Sequence, residues 1–215
     1  MRRLCLLFLL IGTYCYAGEK KYTVDSPDGK IQLAIIQTDA GELTYQLSVK
    51  RKQVIDASAL GFKTEDGLTF PFRGWKMGKV TRNKVNSVWK PLWGKRAVVP
   101  DKYNEMKLSF VNEAKSSDAL EVVARAYNEG VAFRYVSPQD AGSALELTTF
   151  NFAGDYTAWF YNGERHNIGP ERLTETDGER LPVMTVKAAD DLYLAVHEAC
   201  LDEGCLLYTS PSPRD

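Results

Sequence analysis

An all-β fold, built as an antiparallel sandwich, is what this sequence predicts, and three observations carry that expectation. Apolar and polar residues alternate with period two in several short runs, turn-forming clusters separate those runs, and no segment beyond the amino terminus shows a sustained helical stripe. Alternation of that kind marks strands with one buried face. Many short strands joined by local turns fold back on themselves as antiparallel sheets.

The chain opens on a processing segment. Met1, Arg2 and Arg3 give a basic start, residues 4–11 (LCLLFLLI) an apolar core, and Ala17 a small residue before a cut. Together they read as a secretory signal peptide over residues 1–17, which places the mature protein in the periplasm or outside the cell. A membrane span needs about 20 apolar residues, roughly twice this run. A lipoprotein cut at Cys15 is disfavoured by bulky Tyr14 before it. No membrane span is expected once the signal is removed.

The β pattern begins after it. Ser26-Pro27-Asp28-Gly29 is a turn between the first two strands, and Asp39-Ala40-Gly41 is a second. Leu43, Tyr45, Leu47 and Val49 alternate with Thr44, Gln46, Ser48 and Lys50; Glu65-Asp66-Gly67 turns the chain again. Residues 70–100 break the rhythm with Trp75, Trp89 and Trp93 among Pro71, Pro91 and Pro100, and are read as a long irregular connection or an edge. After the turn at Lys115-Ser116-Ser117-Asp118, Leu120, Val122, Ala124 and Ala126 form one face of a strand. Asn128-Glu129-Gly130 then turns into Val131, Phe133 and Tyr135. Residues 161–182 are polar and charged and read as a long loop. Residues 191–198 (DLYLAVHE) form a last strand.

The tail, residues 205–215 (CLLYTSPSPRD), resembles a translated sequencing adapter and is expected to be an artefact, so that the body is residues 18–204 of a truncated reading frame. Cys5 and Cys15 leave with the signal and Cys205 with the tail. Cys200 is then the single cysteine of the body, and no internal disulfide is expected. A body of this size buries enough apolar surface to fold without one. The formal charge of −1 grows more negative once Arg2 and Arg3 are gone, which argues against nucleic acid as a partner.

Most catalytic signatures are missing. There is no glycine-rich phosphate loop, no Gly-x-Ser-x-Gly elbow and no paired-cysteine metal spacing. Two histidines, His166 and His197, are too few for a histidine-rich zinc site. Cys200, at the end of an apolar strand, reads as a small buried hydrophobe. Glu164, Glu171, Glu175 and Glu179 include candidates for a general acid, although such a cluster is ordinarily a solvated loop. Glu198 differs, because it has the parity of Leu192, Leu194 and Val196 and a regular strand turns it toward their buried face. A carboxylate there costs several kcal/mol unless a cation or donors satisfy it. It is either a metal ligand or arginine partner, or the strand bends or ends at His197 and leaves it in water.

Several pieces taken in order carry a resemblance: Ser26-Pro27-Asp28-Gly29-Lys30, Tyr103-Asn104-Glu105, residues 128–135 (NEGVAFRY), residues 146–150 (ELTTF), and His197-Glu198-Ala199 with Leu201 and Asp202. They resemble the amino-terminal domain of glycoside hydrolase family 97 over nearly all of residues 25–202. After Asp202 the chain departs from the family's aromatic-and-glycine continuation. The resemblance implies an exported bacterial exo-acting α-glycosidase, an α-glucosidase or α-galactosidase, in which an amino-terminal β-super-sandwich packs on a catalytic (β/α)8 barrel. It implies that Glu198 is a metal ligand reaching a calcium ion, that the catalytic carboxylates lie in the barrel, that an oligosaccharide or α-glycoside is the substrate, and that this chain alone is inactive. The competing class is a free-standing carbohydrate-binding module, for which Trp75, Trp89, Trp93 and Trp159 are the stacking candidates.

Overall fold

The computed structural model describes residues 19–198 apart from residues 39, 72–74, 113–118, 138–142 and 164. The signal segment, Cys200, Glu164, the turn at 115–118 and the tail at 205–215 therefore lie outside the described residues.

Four strands come first as a meander: β1 (Lys20–Asp25), β2 (Ile31–Gln37), β3 (Leu43–Val49) and β4 (Lys52–Ala59), hydrogen-bonded in that order. The alternation in β3 fixes its pairing. Leu33 faces Leu47 and Ile35 faces Tyr45, so the apolar set of both strands lands on one side. A one-residue slip would turn that set to water. The β3–β4 connection holds only Lys50 and Arg51, with φ of 50° and 68°. A two-residue hairpin with both central residues left-handed is a type I′ turn, whose usual signal is Asn-Gly. No such signal is present here.

Short strands β5 (Phe62–Thr64) and β6 (Thr69–Phe70) follow, and then the long β7 (Trp75–Trp89), β8 (Val99–Asn112), β9 (Ala119–Tyr127) and β10 (Val131–Val136). The last four form a second antiparallel sheet in the order β10-β9-β8-β7. Residues 75–89 are thus an edge strand with a register shift between Met77 and Val80, and the expected irregular connection shrinks to the stretch between β7 and β8. Lys79, Arg82 and Lys84 mask the strand from a period-two reading, and they protect an edge from pairing with other chains.

The two sheets face each other across one core. Leu33, Ile35, Leu108, Phe110, Val122 and Ala124 have no measurable exposure or nearly none. Phe110 meets Phe70 edge to face at 5.3 Å, and Phe70 stacks on Phe62 at 5.3 Å. Burying one phenylalanine of this kind contributes about 2–3 kcal/mol. Strand β11 (Ala144–Glu146) pairs with β5, and the chain after it runs along β4: Thr149 N–H donates to Ala59 O, Asp56 N–H to Asn151 O, and Tyr45 Oη–H to Thr149 O at 2.7 Å.

At one corner three of the pieces behind the family resemblance meet. In the β1–β2 turn, Ser26 Oγ–H donates to Asp28 Oδ1 at 2.7 Å, and Lys30 N–H donates to the same oxygen at 3.1 Å. Gly29 sits there at φ 72°, where a Cβ would be strained. Asp28 N–H reaches across to Asn128 Oδ1 at 3.0 Å in the β9–β10 turn, and Asn104 Nδ2 donates to Asp25 O at 2.7 Å. Next to Asn104 on β8, Glu105 is buried, 2.7 Å from Arg125 Nε, and the guanidinium lies 4.4 Å above the Tyr103 ring. The Asp28–Asn128 and Asn104–Asp25 hydrogen bonds join the two sheets, and the Glu105–Arg125 pair ties β8 to β9 within the second.

The corner gives the domain an acid limit. The Ser26 hydroxyl first, and then the side chain and backbone of Lys30, hold the Asp28 carboxyl down from 3.8 to about 2. A carboxyl depressed in the folded state stabilises above its unfolded value and loses that contribution as pH falls through the folded one. Asp28→Asn is therefore expected to flatten the fall in melting temperature between about pH 4 and pH 2. Thermal unfolding of the variant and its parent across that window checks it; parallel curves would remove Asp28 from the account.

Candidate functional site

The chain's last elements build a fourth antiparallel sheet, after the two large ones and the small β11-β5-β6 sheet. Strand β12 (Thr157–Tyr161), β13 (Ile168–Arg172), a single 3-10 turn (Leu173–Glu175), β14 (Leu181–Ala189) and β15 (Leu192–Val196) pair in the order β13-β12-β14-β15. Its own small core is Ala158, Phe160 and Val186, and Phe152 and Leu194 pack against both this cluster and the main one. The segment read as a long loop thus contains a strand. Pro170, preceded by Gly169 at φ 119°, breaks any alternation in β13, and an edge position is where a sheet tolerates proline. A Cβ on Gly169 would come within 2.6 Å of Ala158 O, so glycine is required for the close approach.

Register carries the inward face across all four strands. Phe160 faces Met184, Met184 faces Val196, Val186 faces Leu194, and Ala158 faces Glu171. Along β15 the alternation is regular: Leu192, Leu194 and Val196 are half-buried while Tyr193, Ala195 and His197 are exposed. Glu198 continues the half-buried series. Its Oε2 is buried with no hydrogen-bond partner among the described residues. Strand β15 itself ends at Val196, and Glu198, two residues beyond it, is half-buried.

Two more orphaned atoms belong to the same sheet. Glu171 Oε2 and Arg180 Nε are buried without hydrogen-bond partners among the described residues, although Arg180 Nη2 stands 3.7 Å from Glu171 Oε2. The Arg180 guanidinium also lies 5.9 Å from the centre of the Phe160 ring. Buried polar atoms are rarely left unpaired, and each costs about 1–3 kcal/mol when they are. All three such atoms among the described residues lie on this sheet or at its ends. Sequence reasoning grouped Glu171 with its solvated neighbours and missed its pairing with Arg180, because the inward register of β13 was invisible.

The remaining candidates separate cleanly. Glu175, Glu179, His166 and His197 are exposed. Asp155 is committed: its carboxylate accepts from Thr174 N–H at 3.0 Å, Thr174 Oγ–H at 2.9 Å and Arg172 Nε at 2.6 Å, and these bonds, the backbone one first, hold its pKa below the ordinary value. Beside it an open groove of about 640 Å³ is lined largely by Phe150, Phe152, Phe160, Leu173 and Met184. Among the described residues no three His, Cys, Asp or Glu side chains gather closely enough to hold a metal, and no helix is long and apolar enough to cross a membrane.

Fold and site together define an all-β sandwich domain with an unpartnered carboxylate oxygen just beyond its last described strand. The chain belongs to the family of glycosyl-hydrolase 97 amino-terminal domains, whose profile matches residues 24–209. It is 24% identical to a retaining α-galactosidase of Bacteroides thetaiotaomicron over 96% of this chain and 33% of that protein. A probable retaining α-galactosidase of Streptomyces bingchenggensis is 29% identical over 74% of this chain and 26% of its own length. Among solved structures, a glycoside hydrolase family 97 enzyme from a Pseudoalteromonas species, seen in complexes with panose and with acarbose, superposes with a TM-score of 0.70 at 30% identity, over 84% of this chain and 28% of that one. The chain spans a third or less of the length of these relatives.

Proposed function

We propose that this chain is the amino-terminal domain of an exported, calcium-dependent exo-acting α-glycosidase that hydrolyses terminal α-linked galactose or glucose. The observation that carries the reading is Glu198, a carboxylate with a buried unpartnered oxygen at the end of β15 in a chain that matches the family profile. Hard divalent cations prefer oxygen donors, and calcium takes six to eight of them. Glu198 fits as one such donor. The other ligands come from outside the described residues, since no acidic cluster completes the site within them. When bound, calcium supplies positive charge beside the reacting sugar.

The work of this chain's own residues is positioning. The β14–β15 pairing runs to Met184 opposite Val196, two residues before Glu198, and the inward apolar series Leu192, Leu194 and Val196 anchors that strand. The catalytic carboxylates belong to the (β/α)8 barrel of the longer protein, and the separation of the two decides between retention and inversion. The names of the two curated relatives favour galactose and retention, whereas the panose complex of the solved relative favours glucose.

The test uses the full-length product of the locus and the 215-residue chain side by side, with nitrophenyl α-galactoside and α-glucoside, before and after calcium chelation. Chelator-sensitive turnover by the full-length protein and none by the chain is the expected result. Turnover by the chain alone, or none by the longer protein on either substrate, overturns the proposal. A second reading, a free-standing sugar-binding module, rests on the exposure of Trp89 and Trp93. Trp75 does not support it, being packed against the main core.

A further inference from the structure

Strands β7 and β8 outrun the sheet they belong to. Their pairing continues from Trp75 opposite Asn112 to Trp89 opposite Val99, whereas β9 pairs β8 only as far as Tyr103. Residues 86–102 therefore leave the sheet as a two-stranded arm. An isolated two-stranded ribbon has little stability of its own in water. Its tip nevertheless exposes large apolar side chains: Val88, Trp89, Leu92, Trp93 and Val98 are five of the eleven large hydrophobic side chains exposed among the described residues, with Leu92 fully exposed and Trp93 at 87%. An exposed apolar cluster of this density marks an interaction site.

Two features of the arm identify what covers it. Lys90, Lys95, Arg96 and Lys102 stand against Asp101 alone, on a chain whose formal charge is −1. The complementary surface is therefore acidic. Between Val88 and Val98 there is no Asp, Glu, Asn or Gln to accept hydrogen bonds from sugar hydroxyls, and aliphatic Leu92 protrudes furthest. That chemistry suits an apolar protein pocket better than a sugar ring. Relatives run to three or four times the length matched here, so a large neighbouring polypeptide surface is at hand.

We propose that the β7–β8 arm is a docking arm whose Trp89, Leu92 and Trp93 insert into an acidic-rimmed apolar socket on the neighbouring domain of the same polypeptide. This rests on the reading of the chain as one domain of a longer enzyme. The socket supplies the burial that the ribbon lacks, and the lysines and Arg96 meet the acidic rim.

Limited trypsinolysis tests it, because Lys95 and Arg96 are cleavable within the arm whereas Lys90, before Pro91, is not. Cleavage after Lys95 and Arg96 is expected to be at least tenfold slower in the full-length protein than in the 215-residue chain. Trp89→Ser with Trp93→Ser, both exposed and so tolerated by the fold, should restore fast cleavage in the full-length protein. Equal cleavage rates in the two wild-type proteins overturn the proposal, and α-glycosidase activity assayed on the same full-length sample shows independently whether the functional reading stands. Two results on the chain alone also overturn it: a concentration-dependent dimer that Trp93→Ser dissolves, or quenching of tryptophan fluorescence by an α-linked oligosaccharide that Trp89→Ser removes.

Discussion

Replacing Arg125 by alanine is expected to lower folding stability by about 2–3 kcal/mol, the largest loss foreseen for any single change outside the apolar core. Breaking a buried pair by deleting one member ordinarily costs about 3–5 kcal/mol, because the surviving charge is left in a medium that cannot solvate it. Glu105, with its side chain 7% exposed, would be that survivor; the figure is set lower because the Arg125 side chain is 34% exposed and Lys107 Nζ remains 3.8 Å from Glu105 Oε1. Burial opposes the Arg125 charge, but its hydrogen bonds to Glu105 and Tyr127 outweigh that and raise its pKa above the ordinary value. The guanidinium also covers the Tyr103 ring, an additional contact of about 0.5–1 kcal/mol. Urea unfolding of the 215-residue chain and its Arg125→Ala and Glu105→Leu/Arg125→Leu variants measures this. The apolar double variant is expected to recover at least half of the loss; a single variant within 0.5 kcal/mol of the parent, an order-of-magnitude bound for solvated surface changes, would show that Glu105 is not desolvated.

That pair illustrates what the sequence reveals and what it withholds. Strands with one wet face declare themselves, and β3, β9, β10 and β15 lie where the alternation puts them. Strand β7 does not, because an edge strand that ends in a free arm has no buried face along its outer half to enforce a period. Strand β13 is hidden by Gly169-Pro170 and by an inward Glu171, and the β3–β4 hairpin by a Lys50-Arg51 turn without Asn or Gly. The resemblance motifs behave differently again. Ser26, Asn104, Glu105 and Asn128 are far apart in sequence and carry no common chemical signature, yet the fold brings them to one corner. Their order is recognisable because the corner needs each of them for packing, and none of them points to the reaction. The inward parity of Glu198 was legible because it needs only a period of two. Its unpartnered oxygen was not, since that depends on every side chain packed around it.

Glu198→Gln is expected to act with opposite signs in two settings, and that inversion is what separates a donor held for a partner from an ordinary surface carboxylate. In the 215-residue chain the ionised group has one oxygen buried without a hydrogen bond, so removing its charge relieves a desolvation cost and melting temperature should hold or rise. On the proposed reading, the same change in the full-length protein would remove an anionic oxygen from a calcium site. Calcium affinity depends on the number of charged ligands, and a loss of about tenfold or more is expected, with turnover falling in step at limiting calcium. Glu175→Gln, which alters an exposed carboxylate on the same sheet's periphery, should move neither quantity. Thermal unfolding of the chain and calorimetric calcium titration of the longer protein read the two effects separately. If Glu198→Gln left calcium affinity unchanged, the buried oxygen would belong to domain packing, and the functional reading would have to rest on the family match alone.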